Sequence, residues 1–222
     1  MSHQKIFTLD NLSLQDFGSE AELIPLLTPE DEEEMNNEEL PNNLAILPLR
    51  NMVLFPGVVI PITAGRDKSI RLINEANAEG KIIGVVAQKN EEDEDPTKND
   101  IHKIGTVAKI LRVLKMPDGN VTVILQGKKR FEIDTVITEN PYIRAEVKEV
   151  SEKRPGKHDT EFVAIVDSIK ELAIQIIKES PNIPSEATFA IKNIESQSFL
   201  INFVTSNMNL TVKEKQDLLA VN

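Results

Sequence analysis

Three prolines inside one apolar stretch constrain this chain more than any other feature. Residues 44–62 read Leu-Ala-Ile-Leu-Pro-Leu-Arg-Asn-Met-Val-Leu-Phe-Pro-Gly-Val-Val-Ile-Pro-Ile, with prolines at 48, 56 and 61. A proline inside an α-helix removes a hydrogen bond, clashes with the preceding turn and costs about 3 kcal/mol, so this stretch is extended. Pro56-Gly57 predicts a turn joining two strands. Proline within a strand is tolerated at edges, starts and bulges, which places the predicted strand pair at the rim of a small barrel.

The chain beyond that stretch reads as β, then α, then mostly β. A helix opens at Arg66 or Asp67, its apolar positions Ile70, Ile73 and Ala76 recur on one face, and Gly80 sits where a left-handed C-cap belongs. Lys81–Gln88 reads as a strand, followed by an acidic loop over Asn90–Asp100. Ile104–Met116 and Val121–Gln126 flank Pro117-Asp118-Gly119-Asn120 and form a hairpin. Gly127-Lys128-Lys129-Arg130 reads as a basic turn leading to further strands at Phe131–Ile137 and Tyr142–Val150. About six short strands with one helix predict a small closed or partly closed barrel, which also hides sheet edges.

Ser151–His158, with Pro155-Gly156 inside it, marks a domain boundary, and the chain beyond it is helical. Phe162, Ile165, Val166, Ile169, Leu172, Ala173 and Ile176 describe an amphipathic helix that ends at Ser180-Pro181. Ser185–Lys192 and Glu195–Asn207 read as shorter helices, and Thr211-Val212-Lys213-Glu214 as a capping box opening the last one. The expected class is α+β, a β-barrel lobe with one helix over 44–150 followed by a helical bundle lobe over 151–222.

Charge is unevenly placed. Residues 1–43 carry eleven acidic side chains and one Lys, whereas the remainder is close to balance. A block such as Glu30-Asp31-Glu32-Glu33-Glu34 cannot bury enough apolar surface to offset ordering, so 1–43 is expected to be a disordered acidic tail. Ile24-Pro25-Leu26-Leu27 beside it has the composition of a short docking segment, with a solvating tail as the plainer reading. The 222 residues include no cysteine, and no apolar run approaches the roughly 20 residues needed to span a bilayer. A cytoplasmic protein with no membrane partner is the expectation.

The order L-P-L-R-x-x-V-L-F-P-G-x-x-x-P-I at 47–62, then Gly65-Arg66-Asp67-Lys68-Ser69-Ile70, Gly105-Thr106-Val107-Ala108-Lys109-Ile110, and Leu114–Val121 running to Gln126-Gly127 resembles the N-terminal domain of the ATP-dependent protease Lon. The resemblance covers 44–221. It implies a PUA-like β lobe, a helical second lobe leading toward an ATPase, and a role in recognising unfolded or degron-bearing polypeptides within a hexameric protease. It also implies that ATP, magnesium and a serine-lysine peptidase dyad belong to modules downstream. Leu218, Leu219 and Val221 are still apolar at the end, so the natural chain is expected to continue beyond Asn222; a stand-alone adaptor built on the same domain is the alternative.

No catalytic or cofactor-binding constellation stands out in the 222 residues themselves. The phosphate-loop pattern G-x-x-x-x-G-K-[ST] is absent, and no Ser-Lys pair is singled out by spacing. His3, His102 and His158 lie far apart without metal-ligand spacing, so no metal site is expected. The carboxylates of Glu91–Asp95 lack the glycine and spacing of a calcium loop and read as solvated.

Arg66, Asp67, Lys68 and Arg71 form the most suggestive polar group, because cations on the first turns of a helix oppose its dipole. They match the family motif and are candidate contacts for polypeptide or partner, with a plain solvated face as the alternative. Met52, Leu54, Phe55 and Val58, around the Pro56-Gly57 turn, are candidate apolar contacts if exposed and core residues otherwise. Barrels of the implied type include RNA-binding modules, and Lys128, Lys129 and Arg130 form one basic patch. Phosphate binding nevertheless needs clustered cations that a nearly neutral body lacks, so nucleic acid is not the expected partner.

Overall fold

The computed structural model describes residues 28–151, 159–180, 183 and 186–221, which fall into two compact units. One unit consists of Glu32–Arg154 together with Asn202–Asn222, and the other takes in Pro155–Ile201. The six strands are β1 (Asn43–Leu49), β2 (Val59–Ala64), β3 (Ile82–Ala87), β4 (Ile104–Lys115), β5 (Val121–Thr138) and β6 (Arg144–Glu149). The helices are α1 (Pro29–Asn37), α2 (Asp67–Glu79), α3 (Thr160–Glu179), α4 (Glu186–Asn193), α5 (Gln197–Asn207) and α6 (Val212–Leu219). The class is mixed α+β, as expected.

The proline rule places each proline well, but the expected pairing of the two strands does not form. β1 runs parallel to β3 over Ile46–Leu49 and antiparallel to β6 only over Asn43–Ala45. Pro48 therefore sits where β1 has one neighbour. Pro61 lies in β2, whose partner is β5. Between them, Val58 N–H donates to the Phe55 carbonyl at 3.2 Å around Pro56-Gly57, and Gly57 takes φ 78, the pattern of a type II turn. That turn docks on β5, because Gly57 N–H reaches the Gly127 carbonyl and Gly127 N–H the Val58 carbonyl, both at 2.9 Å. The chain is thereby delivered to β5 and does not fold back on β1.

β5 is the organising strand. Its first half pairs with β2, its second half with β6, and β4 runs alongside both. The pairings β5–β4–β3–β1–β6–β5 close a ring of five strands, with β2 added outside it. The basic turn expected at Gly127–Arg130 is instead continuous strand. A register shift falls there, with Thr106 opposite Arg130 and Ala108 opposite Gly127, so that β5 carries an extra residue, the form of a β-bulge. A Cβ on Gly127 would lie 2.2 Å from the Phe55 carbonyl oxygen, so the glycine there admits the docked turn and does not terminate a strand.

The ring closes on Leu44, Ile46, Val86, Val107, Phe131 and Ala145. Phe131 is fully buried, and the space for its ring comes from two glycines. A Cβ at Gly84 would come within 2.9 Å of the Phe131 ring and one at Gly105 within 3.0 Å. α2 packs on β1, β3 and β4. Its buried row is Ser69, Leu72 and Ile73, one position earlier than the expected Ile70, Ile73, Ala76 row. Gly80 follows with φ 133, and its N–H caps the Ala76 carbonyl.

Two expectations about the ends of the chain are revised. Within the acidic stretch expected to be disordered, α1 is helical, and Met35 is buried. Thr28 accepts from the Asp31 N–H at 3.1 Å while Asp31 accepts from the Thr28 N–H at 3.0 Å, with Pro29 at the first helical position. Such a reciprocal cap starts a helix despite like charges. Residues 1–27, including Ile24–Leu27, and the boundary segment 152–158 lie outside the described residues. At the other end, Asn202–Asn222 joins the β unit. There Gln216 Nε2 donates to the Ile104 carbonyl at 2.8 Å, and α6 opens with the expected Thr211–Glu214 capping box.

In the helical unit α3 is capped by Asp159, whose carboxylate accepts from Phe162 N–H at 3.1 Å, and α3 packs on α4. Lys170 Nζ donates to the Ile194 carbonyl at 2.9 Å. Of the seven positions of the expected apolar face, Val166 is buried, Phe162, Ile169 and Ala173 are half-buried, and Ile165, Leu172 and Ile176 are 52%, 58% and 59% exposed. The periodicity that makes α3 a helix is present, and part of its apolar face is exposed. Among the described residues, no helix is long and apolar enough to cross a membrane.

Candidate functional site

The polar group at the start of α2 builds one wall of a cleft in the β unit. Arg66 is the N-cap residue, with φ −80 and ψ 135, yet its side chain makes no capping hydrogen bond. Its guanidinium turns away to donate to Gln88 Oε1 at 2.7 Å and to the Asp93 carbonyl at 3.0 Å. Gln88 is buried and donates in turn to the carbonyls of Asn90 and Asp93 at 3.2 and 3.0 Å. Burial, assisted by the neighbouring Arg50, pulls the Arg66 pKa below its ordinary value. Lys68 Nζ holds both oxygens of Asp95 at 2.8 and 2.7 Å. The two cations thus fasten the 90–100 loop against the helix.

The far end of that loop is secured separately. Thr97 N–H and hydroxyl both donate to Asp100 Oδ2, at 2.9 and 2.7 Å, and these bonds, chiefly the hydroxyl's, hold the Asp100 pKa below the ordinary carboxylate value. Lys98 N–H donates to Glu139 Oε1 at 2.7 Å, tying the loop to the segment before β6. On that segment Tyr142 donates to Glu75 Oε2 at 2.6 Å, and Arg144 lies 5.6 Å from the centre of the Tyr142 ring. Arg71 binds the other Glu75 oxygen at 2.8 Å. The Tyr142 hydrogen bond, then that of Arg71, depresses the Glu75 pKa.

Enclosed by α2, the loop and the Glu139–Ile143 segment is a cleft of about 200 Å³. Ile46, Pro48, Leu72 and Ile143 give it an apolar floor, and Arg66, Lys68, Asp95 and Glu139 lie round it. Ser69 also lines it and is only 8% exposed. Arg66, Lys68 and the missed residues Ser69, Asp95 and Tyr142 therefore meet here. Asp67 and Arg71 of the expected group do not line it. Ser69 stands within the Gly-Arg-Asp-Lys-Ser string, where a Ser on the row facing the sheet was the available signal.

The apolar candidates are placed elsewhere. Leu54, Phe55 and Val58 are 2%, 2% and 5% exposed and Met52 is half-buried, so the docked turn uses them as core and not as accessible surface. The Leu54 carbonyl accepts from the buried Thr106 hydroxyl at 2.6 Å. The basic patch is likewise engaged. Lys128 pairs with Glu38 at 3.2 Å and Lys129 with Glu149 at 3.3 Å. Arg130 is buried and donates to the carbonyls of Leu219, at 3.0 Å, and Val221. Its charge complements the C-terminal end of α6.

Residues 43–222 match the family model of the ATP-dependent protease La (LON) substrate-binding domain. The chain is 82% identical over 222 residues to a Lon protease of Flavobacterium johnsoniae, covering 100% of this chain and 27% of that protein. It is 50% identical over 198 residues to a Lon protease of Cytophaga hutchinsonii, covering 89% and 24% respectively. The chain spans about a quarter of the length of these curated relatives. Among solved structures, the N terminal domain of Mycobacterium avium complex Lon protease has a TM-score of 0.65 at 21% identity, over 81% of this chain and 90% of that one. The Lon N-terminal domain protein from Xanthomonas campestris has a TM-score of 0.57 at 14% identity, over the same shares. These two establish likeness of fold.

Proposed function

This chain belongs to the family of Lon substrate-binding domains, and from that premise we propose that it binds unfolded or degron-bearing polypeptide on behalf of a protease and an ATPase carried by a longer protein. The observation that carries the reading is the family match over 43–222. Lys68 and Arg71 leave 46% and 60% of their side chains exposed and offer charged contacts beside the cleft.

The same reading assigns ATP, magnesium and the Ser-Lys dyad to the longer protein, places that protein in the cytoplasm, and gives this portion a share in assembling a hexamer. Binding of one test protein, labelled and measured by fluorescence anisotropy in its unfolded and native forms, checks the central claim. The expected result is saturable binding of the unfolded form alone. No binding of either, or equal binding of both, overturns it. Sedimentation of the longer protein with and without 1–222 checks the assembly role, with loss of hexamers expected on removal and unchanged hexamers refuting it.

A further inference from the structure

We propose that the cleft at the start of α2 takes the free C-terminal carboxylate of a bound polypeptide, with the last side chain lying on the apolar floor. This rests on the substrate-binding reading above and narrows it to a chemical feature of the substrate. The donors come from the backbone and from one hydroxyl. A helix leaves its first N–H groups without intrahelical partners. Of the cleft-lining residues, Lys68 and Ser69 have N–H groups with no other acceptor, the first helical bond being Ile70 N–H to the Arg66 carbonyl at 2.9 Å. The N-cap residue is Arg66, whose guanidinium carries donors only and cannot serve them; it donates instead to Gln88 and Asp93.

Ser69 supplies the second, independent observation. Its residue is 8% exposed and it lines the cleft, yet its hydroxyl has no hydrogen-bond partner in the protein. The Ser69 oxygen opens on the cleft and is not sealed in the core, where Gln216 Oε1 is the buried atom without a partner among the described residues; a serine in a helix can instead bond a carbonyl one turn back, as Ser168 does with Ala164 at 2.8 Å. An unpartnered hydroxyl on a cleft wall, next to free N–H groups at the positive end of a 13-residue helix, is set up for an acceptor carrying negative charge.

The surroundings select which anion. Arg66 and Lys68 are balanced by Asp95 and Glu139 around the cleft, so a doubly charged phosphate gains little from the local field. A carboxylate with one negative charge is accommodated by N–H and O–H donors alone. The floor of Ile46, Pro48, Leu72 and Ile143 has no use for a free oxyanion but suits an apolar side chain. A volume near 200 Å³ is short of the roughly 300 Å³ at which drug-sized ligand pockets begin and holds one terminal residue. Capture of a chain end by backbone donors is a recurring mode of peptide recognition.

The test uses the full 222-residue chain and a labelled peptide of about ten residues ending in Leu, with a free carboxylate or a C-terminal amide. The acid is expected to bind at least tenfold more tightly than the amide, since a hydrogen bond to a charged group is worth about tenfold or more. Ser69→Ala is expected to weaken the acid about tenfold and leave the amide unchanged. Ser69→Asp, which keeps a residue favourable to a helix N-terminus, is expected to abolish the preference. Unchanged thermal melting of both variants excludes a folding defect.

Equal binding of acid and amide overturns the proposal, as does displacement of the peptide by millimolar inorganic phosphate, which would mark a general oxyanion site. A backbone-cyclised unfolded protein separates the two readings. Its binding, with no discrimination between the linear peptides, leaves the substrate-binding role intact and refutes the carboxylate site.

Discussion

Gly127→Ala carries the sharpest structural consequence of the fold. The added methyl would start 2.2 Å from the Phe55 carbonyl oxygen, 3.0 Å from the Phe55 carbonyl carbon and 3.2 Å from Thr106 Cγ2. Carbon and carbonyl oxygen ordinarily approach to about 3.3 Å, so two stretches of backbone must part by about 1 Å. The same displacement opens both 2.9 Å hydrogen bonds between Gly127 and the turn. Those bonds are worth about 1 kcal/mol each, and overpacking adds about 1–3 kcal/mol, giving an expected loss of about 3–5 kcal/mol.

Gly119→Ala is the matched control, because nothing lies within 4 Å of that position and its φ of +89 makes the cost one of backbone conformation, about 1–2 kcal/mol. Urea unfolding followed by fluorescence of Tyr142, the single tyrosine of a chain without tryptophan, reads the β unit directly. A Gly127→Ala loss below about 1 kcal/mol, or one smaller than that of Gly119→Ala, would refute the docking of the turn on β5.

The geometry sets three other outcomes. Arg130→Met removes the donor to the Leu219 and Val221 carbonyls and is expected to cost about 2–3 kcal/mol for hydrogen bonds to a charged group; hydrogen exchange across 212–221 should accelerate, and unchanged protection there would contradict it. Tyr142→Phe removes the first cause of the depressed Glu75 pKa, so the Glu75 pKa is expected to rise toward 4.5 in an NMR titration. Because that pKa is lowered on folding, its stabilisation is present above pH 4.5 and fades as pH falls through the folded value, and the variant should show less of this fading. His102 is held below its ordinary 6.5, first by burial and then by Lys89, with Lys213 acting the same way and Asp217 opposing. Its neutral form is therefore favoured on folding, stability should decline as pH drops below 6.5, and His102→Gln should flatten that decline in urea midpoints measured from about pH 7 to 5.

Local chemistry in the sequence announced the elements it controls. The Pro117–Asn120 hairpin, α2 with Gly80 behind it and the Thr211–Glu214 capping box are each set by residues within a few positions of one another, and each forms as expected. What failed depended on partners far along the chain. Gly127-Lys128-Lys129-Arg130 looks like a turn because glycine beside cations usually is one. Only the arrival of Phe55–Val58 from about 70 residues earlier explains a glycine in mid-strand, and only Glu38, Glu149 and the end of α6 explain the cations. The parallel pairing of β1 with β3 and the return of 202–222 to the β unit are equally non-local. α1 departs from expectation for a local reason: its like charges argue against a helix, while the reciprocal bonds of Thr28 and Asp31 cap one.

α2 shows where local consistency breaks and what the break is worth. Its row facing the sheet is Ser69, Leu72 and Ile73, and a row chosen for stability alone would carry an apolar residue or Ala at the first position. Natural sequences break such local rules mainly where function requires it. If Ser69 served the fold, its hydroxyl would be bonded within the protein and Ser69→Ala would leave a partner stranded, at about 1–3 kcal/mol. With no such partner, Ser69→Ala should change stability by less than about 0.5 kcal/mol, while Leu72→Ala, three residues on and 1% exposed, should cost about 2–5 kcal/mol. Urea midpoints of the two variants separate the cases. A Ser69→Ala loss approaching that of Leu72→Ala would make the serine a structural residue and remove the reason for its place in the cleft.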